Sequence, residues 1–210
     1  MSDYEKDLVI LVADKNMEAA VQGLFSRRAA LDIRPVNIDI YSHPEHDAGC
    51  LGKSHDFLRP MHRKYGHAIV MFDREGCGNE SKTREKLEEE VENNLKANGW
   101  ESRSATIVLD PELEIWVWSE SSHVDECLGW ENRRPDLRTW LKNNRVGYWS
   151  EKAIKPERPK ESVEAALKVV RKPRSSSIYK KLAGRVSFGG CTDPAFEKFR
   201  KVLQCWFSRD

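Results

Sequence analysis

The sequence of 210 residues predicts an α/β fold, with a mostly parallel sheet of about four strands flanked by helices. Three short apolar runs, over 7–13, 68–72 and 104–109, have the length and continuity of strands that are buried on both faces of a parallel sheet. Segments with apolar residues at helical spacing separate these runs, as in strand–helix–strand units. We therefore assign residues 1–120 to an α/β domain and residues 121–210 to a helical extension that packs on or beside it.

The first strand–helix–strand unit is predicted over residues 7–41. After the first strand, apolar residues recur at helical spacing in a helix that is predicted over 17–31. Residues 34–41 then alternate between polar and apolar side chains. This alternation predicts a strand with one wetter face, nearer an edge of the sheet.

Residues 42–65 are irregular in pattern and carry four of the six histidines, His43, His46, His55 and His62. The histidines and carboxylates over 43–47 are of the types that bind metals. Their spacing does not match a helical histidine pair, however, and Pro44 interrupts any regular scaffold. We therefore predict a polar loop followed by a short helix over 56–65, and a loop of this length beside a site is often used to contact substrate.

The central run over 68–72 ends in two carboxylates, Asp73 and Glu75, which are followed by two glycines. Open α/β sheets bind their ligands outside the carboxyl ends of the strands, where this acidic pair is expected. Carboxylates that lie close together repel each other, so the pair favours a proton or a hard divalent cation such as Mg²⁺. The alternative is that Asp73 caps the next turn and Glu75 is solvated.

A charged helix is predicted over 83–99, because Leu87, Val91 and Leu95 form one narrow apolar stripe and Asn98-Gly99 supplies a stop signal. The remaining positions are mostly charged. The acidic run over 88–90 is interpreted as a solvated helix face.

The strand over 104–109 leads into a second acidic segment. Asp110 as N-cap and Pro111 at the first helical position predict a helix that begins here. Glu112 and Glu114 would then point about 200° apart, so that only one of them faces the strand ends. The alternative for either glutamate is that it compensates the helix dipole.

The extension is predicted to contain helices over 136–143, 162–171 and 178–185, a linker over 147–160, and a final helix that begins at Asp193-Pro194. A basic stretch interrupts it at residues 171–181. Cationic and hydroxyl side chains are the usual contacts of nucleic-acid phosphates, which makes five residues candidates for nucleic-acid binding: Arg171, Lys172, Arg174, Lys180 and Lys181. The alternative is a solvated connector.

Composition excludes several classes of protein. Charged residues make up 33% and hydrophobic residues 39%, which suits a soluble globular protein, and no apolar run approaches the length needed to cross a membrane. The acidic N-terminal residues lack the features of a signal peptide, so a cytoplasmic protein is expected. The five cysteines are scattered without a CxxC pair, which argues against a structural zinc site or a disulfide framework.

The first 120 residues resemble a divergent form of the Toprim fold, found in proteins of bacterial defence and mobile-element loci. The segment Asp73-Arg-Glu75-Gly-Cys-Gly78 is similar to the Asp-x-Asp-x-x-Gly element of that family, with glutamate in the second acidic place. Asp110-Pro-Glu112-x-Glu114-x-Trp116 is similar to a second element of the divergent group. The sequence differs from the first motif of the family, because Ala13-Asp14 stands where Glu-Gly is usual. A shorter resemblance, over 188–196, is to an accessory protein of a methylation-associated phage-defence system.

The resemblance implies a Mg²⁺-dependent, nuclease-like activity on phosphodiester bonds in antiviral defence, with Mn²⁺ as an alternative ion. Asp73 and Glu75 would hold the metal together with Glu112, and Asp14 or Glu18 would complete the site or act as general base. The alternative is a catalytically degenerate Toprim-like subunit that binds partner proteins, DNA or RNA within a defence complex. This alternative is suggested by Ala13, which stands in place of the glutamate of the first family motif.

Overall fold

The computed structural model describes residues 4–119, 121–149, 153–188 and 191–209. Its centre is a four-stranded sheet in which every pair of neighbouring strands is parallel, in the order β2-β1-β3-β4. The strands are β1 (Lys6–Val12), β2 (Ile38–Ser42), β3 (Tyr65–Asp73) and β4 (Ser104–Leu109). This confirms the predicted α/β class, and the strand with the wetter face, β2, lies at an edge as expected.

Four α-helices accompany the strands within residues 4–119. They are α1 (Lys15–Phe25), α2 (Arg28–Leu31), α3 (His46–Leu58) and α4 (Arg84–Leu95). The predicted helix over 17–31 is thus two helices, because the chain turns at Ser26 and Arg27. The apolar stripe of α4 is confirmed, since Leu87, Val91 and Leu95 are fully buried.

The prediction of a loop over most of 42–65 was wrong, because α3 fills it. Its sequence contains Gly49 and Gly52 and few large apolar residues, which hides the helical pattern. Gly49 is needed for close packing: a Cβ added there would lie 2.0 Å from Nδ1 of the buried His43. His43 is thus a packed core residue, and its Nδ1 accepts a hydrogen bond from the Glu45 N–H.

The interpretation of 88–90 as a solvated face was wrong for Glu88, which is buried. Glu88 accepts a hydrogen bond from the Val108 N–H at 3.1 Å, and Glu92 accepts one from the Thr106 N–H at 2.8 Å. Both N–H groups belong to the outer edge of β4. Lys198 forms ion pairs with both glutamates, at 3.0 and 2.8 Å. The glutamates of α4, whose charge Lys198 neutralises, therefore cover this edge of the sheet.

The later part of the chain is helical. It contains α5 (His123–Leu128), α6 (Leu137–Asn143), α7 (Pro159–Val169), α8 (Ser176–Ala183) and α9 (Pro194–Trp206). The helix α5 was not predicted, and residues 150–152 of the predicted linker lie outside the described residues. The final helix begins as predicted, with Asp193 accepting a hydrogen bond from the Phe196 N–H at 3.1 Å.

The extension packs directly on the α/β part. The helix α8 lies against α1, and α9 lies against β4. The approach to α1 is close at Gly23, where an added Cβ would lie 2.5 Å from the Lys180 carbonyl oxygen. Apolar side chains of both parts belong to one buried cluster, as Leu24 of α1 and Leu182 of α8 illustrate.

Within the described residues, none of the helices has the length and apolar character that crossing a membrane requires.

Candidate metal centre

Asp73, the last residue of β3, lies where the predicted site was expected. Its Oδ1 accepts a hydrogen bond from the Leu113 N–H at 2.9 Å. Its own N–H donates to Oδ1 of Asp47 at 2.8 Å. Asp47 lies in the first turn of α3, so the carboxyl ends of β3 and β4 and the start of α3 meet at this point.

Glu112 and Glu114 both turn toward Asp73. The predicted helix start at Asp110 was wrong: Glu112 has an extended backbone, and a short 3-10 helix begins only at Leu113 and runs to Trp116. The 200° separation expected for a regular helix therefore does not apply. One carboxylate oxygen from each of Asp73, Glu112 and Glu114 lies within 4.8 Å of the others, and these three residues, the acidic triad, could hold a metal ion.

The electrostatics of the triad favour a bound cation or proton. Burial raises the pKa of Asp73 well above its ordinary value, and the carboxylates of Asp47, Glu114 and Glu112 raise it further. Burial, followed by the charge of Glu114, raises the pKa of Glu112 to about 7. Carboxylates with raised pKa values at the end of a strand are a common property of functional sites.

Two cationic side chains from the extension reach the triad. The backbone N–H of Lys160 donates to Oε1 of Glu112 at 3.0 Å, and the side-chain ammonium of Lys160 lies 3.5 Å from Oε2 of Glu112. Arg174 donates from Nη2 to Oε1 of Glu114, and the Tyr179 hydroxyl donates to the same oxygen, each at 2.5 Å. The extension therefore supplies hydrogen-bonding and ionic partners to both glutamates of the triad.

The other predicted metal or catalytic residues lie outside the triad. Glu75 is exposed, and its N–H donates to the Pro111 carbonyl oxygen at 3.0 Å. Asp14 caps α1 by accepting hydrogen bonds from the Asn16 and Met17 N–H groups. Glu18 forms an ion pair with Lys15 at 2.6 Å and accepts a hydrogen bond from the Ser42 hydroxyl.

Most cations of the predicted nucleic-acid segment have partners within the chain. Lys172 donates to the Cys127 carbonyl oxygen at 2.6 Å, Lys180 donates to Gln22 at 3.1 Å, and Lys181 pairs with Glu126 at 3.1 Å. Arg174 is held by the triad, whereas Arg171 is exposed.

Sequence reasoning missed Asp47, Lys160 and Tyr179 as neighbours of the site. Asp47 follows a proline-containing turn in a segment without a clear pattern, and the other two lie more than forty residues from their carboxylate partners. The Asp-Pro-Glu-x-Glu segment identified Glu112 as a candidate metal ligand, whereas Glu114 was not predicted, because the assumed helix let only one of the two glutamates face the strand ends.

Comparisons of the chain with protein-family models, with curated proteins and with solved structures found no match.

Proposed function

We propose that this chain is a Toprim-like, Mg²⁺-dependent enzyme of the nuclease class that acts on phosphodiester bonds. The observation that carries the proposal is the acidic triad at the carboxyl ends of β3 and β4. Ligand sites of open parallel sheets lie at this end of the strands. The antiviral setting remains a prediction that rests on the resemblance of the two acidic segments.

The donor set of the triad fits a hard divalent cation. All three side chains offer carboxylate oxygens, which Mg²⁺ and Mn²⁺ prefer, and burial followed by the charges of neighbouring carboxylates raises the pKa values of Asp73 and Glu112. Asp73, Glu112 and Glu114 would hold the ion. When bound, such an ion activates water and stabilises negative charge on a phosphoryl oxygen.

Lys160, a residue of the extension, is positioned to contact a substrate phosphate beside the triad. Its ammonium lies 3.5 Å from Glu112, and 44% of its side chain is exposed. A lysine ammonium is a compact charge that contacts phosphate oxygens well. In the proposed function Lys160 orients a substrate phosphate against the triad.

The alternative is a non-catalytic subunit that binds partner proteins or nucleic acid. One observation favours it: Arg174, Tyr179 and Lys160 already satisfy part of the charge and hydrogen-bonding capacity of Glu112 and Glu114. In this alternative the triad is a buried ion-pair network that fixes the extension in place.

Calorimetric titration of the full chain with Mg²⁺ and with Mn²⁺ tests the proposal. We expect saturable binding that Asp73→Asn weakens by about tenfold or more, because a carboxylate ligand is lost. Glu89→Gln, which neutralises an exposed carboxylate on α4, is the matched control and should bind as the wild type does. Absence of binding in the wild type would leave the partner-binding alternative. Equal binding by the wild type and Asp73→Asn would show that the ion binds elsewhere.

Hydrolysis of labelled oligonucleotides is the second readout. Cleavage that requires the ion and is lost in Asp73→Asn supports the nuclease proposal. Metal binding without cleavage of DNA or RNA would contradict it.

A further inference from the structure

The segment over 130–149, which surrounds α6, combines cations with aromatic side chains. It contains five basic and two acidic residues. Four aromatic residues are interleaved with them: Trp130, Trp140, Tyr148 and Trp149. Basic and aromatic side chains in alternation are typical of surfaces that bind the backbone and the bases of nucleic acids.

Four cations of this segment are exposed, namely Arg133, Arg134, Lys142 and Arg145. Among the residues that the structure describes, none of the four forms an ion pair with a carboxylate. Of the two acidic residues, Asp136 is used to cap α6 through the Thr139 N–H and hydroxyl. The positive charge of this surface is therefore available to an anionic partner.

The aromatic rings are held in place by cations and by one another. Tyr148 is 61% exposed, and the Arg158 guanidinium lies 4.9 Å from its ring centroid. Lys142 lies 5.6 Å from the ring centroid of Trp149. A tyrosine that is supported by a guanidinium and largely open to solvent is suited to stack on a nucleobase.

Direct contacts connect this surface to the acidic triad. Trp149 packs edge-on against Trp118, with ring centroids 5.5 Å apart. The Trp118 indole N–H donates to the Pro159 carbonyl oxygen at 3.0 Å. The next residue, Lys160, is the one that bonds Glu112. A strand bound near α6 would therefore lie close to the start of α7, which contacts the triad.

We propose that the surface formed by Lys142, Arg145 and Tyr148, here the α6 surface, binds single-stranded nucleic acid. Its cations contact phosphates, and Tyr148 stacks on a base. The inference rests on the proposed function, because it names the substrate class of that function. It also places nucleic-acid binding on α6 instead of on residues 171–181, where most of the cations are held by partners within the chain.

Fluorescence anisotropy with labelled single-stranded DNA and RNA oligonucleotides of about 20 nucleotides, long enough to exceed usual site sizes, tests this proposal. The measurement is made on the full chain in EDTA, so that binding is scored without metal chemistry. The wild type should bind with an affinity that falls steeply with salt concentration. The double variant Lys142→Glu/Arg145→Glu should bind about tenfold more weakly and lose about 1.4 from the salt slope, which is about 0.7 for each lost phosphate contact.

Two further variants complete the test. Tyr148→Ala should weaken binding by about tenfold with an unchanged salt slope, because it removes stacking and no charge. Lys86→Glu/Lys96→Glu reverses two exposed charges on and next to α4 and should bind within about twofold of the wild type.

The proposal is overturned if the wild type shows no salt-dependent binding, if the α6 variants bind as the α4 control does, or if a duplex binds as tightly as the single strand. These outcomes are separate from the failure of the proposed function. The anisotropy is measured without metal, so absence of Mg²⁺ binding or of cleavage would overturn the proposed function and leave the result for the α6 variants unchanged.

Discussion

Arg174 donates a hydrogen bond to Glu114 across 60 residues of sequence, from Nη2 to Oε1 at 2.5 Å. The Tyr179 hydroxyl donates to the same oxygen, and Arg174 Nε donates to the Tyr179 oxygen at 2.7 Å, which closes a ring of three side chains. Glu114 is almost fully buried, with 2% of its side chain exposed. Its charge is therefore compensated by the extension.

Removal of this arginine should destabilise the fold. In Arg174→Ala, Glu114 keeps a buried charge without its cationic partner, so we expect the free energy of unfolding to fall by about 3 kcal/mol. Urea denaturation measures the change. The double variant Arg174→Ala/Glu114→Gln should recover more than half of the loss. A double variant as unstable as the single one would contradict the ion-pair explanation.

Stability of the metal-free protein should depend on pH through Glu112. Its pKa is about 7 in the folded state, against an ordinary value of 4.5, so the folded state binds the proton more tightly. The stabilisation is fully present below about pH 4.5 and is lost as pH rises through about 7. The loss over this range should be on the order of 1–3 kcal/mol. Denaturation series over this range should show a flatter dependence for Glu112→Gln, and equal slopes for both proteins would refute the assignment.

The effect of Asp73→Asn on stability should change sign when metal is added: the variant should be the more stable protein without metal and the less stable one with it. Without metal at pH 8 it should be more stable than the wild type by about 1 kcal/mol or more, because burial and neighbouring carboxylates raise the pKa of Asp73. The amide oxygen can still accept the Leu113 N–H. With Mg²⁺ at about 100 times its dissociation constant, the wild type should gain about 2.7 kcal/mol and the variant little. Thermal melts with and without Mg²⁺ measure both effects, and a variant that is less stable than the wild type without metal would contradict the first.

The contact between α1 and α8 should not tolerate a larger residue. In Gly23→Ala the new methyl group meets the Lys180 carbonyl oxygen and the Ala183 side chain, and we expect a net loss of about 1–3 kcal/mol from overpacking. Gly52→Ala in α3 is the control, because a Cβ there meets nothing within 4 Å. It should leave stability unchanged or raise it by up to about 1 kcal/mol through helix propensity. Denaturation of the two variants gives the comparison, and equal stabilities would mean that α8 can move.

Glu88 should matter more for stability than its neighbour in the sequence. Glu88→Ala leaves the buried Val108 N–H without its acceptor, at a cost of about 1–3 kcal/mol. Glu89 is exposed, so Glu89→Ala should change the free energy of unfolding by less than about 0.5 kcal/mol. Chemical denaturation distinguishes the two variants. Similar losses of stability in both variants would mean that Glu88 contributes no more than a solvated residue of the helix face.

The strands and the position of Asp73 could be predicted because they depend on short-range patterns. A continuous apolar run such as 68–72 can be buried on both faces only in the middle of a sheet, and its end must then lie at the ligand-binding edge. The Asp-Pro capping pattern predicted a helix start at Asp110-Pro111, and this was wrong. The Leu113 N–H donates instead to Asp73, and the short helix begins only at Leu113. Lys160, Arg174 and Tyr179 could not be predicted as partners of the glutamates, since nothing in a local pattern encodes contacts over 48 to 65 residues.

The two edges of the sheet differ in their capacity to recruit another chain. At β4 the glutamates of α4 occupy the outward N–H groups of Thr106 and Val108, so an incoming strand would have to displace charged side chains that Lys198 holds in place. At β2, no hydrogen bond among the described residues reaches the outward backbone groups of its five residues. Growth of the sheet by strand addition is thus directed to β2.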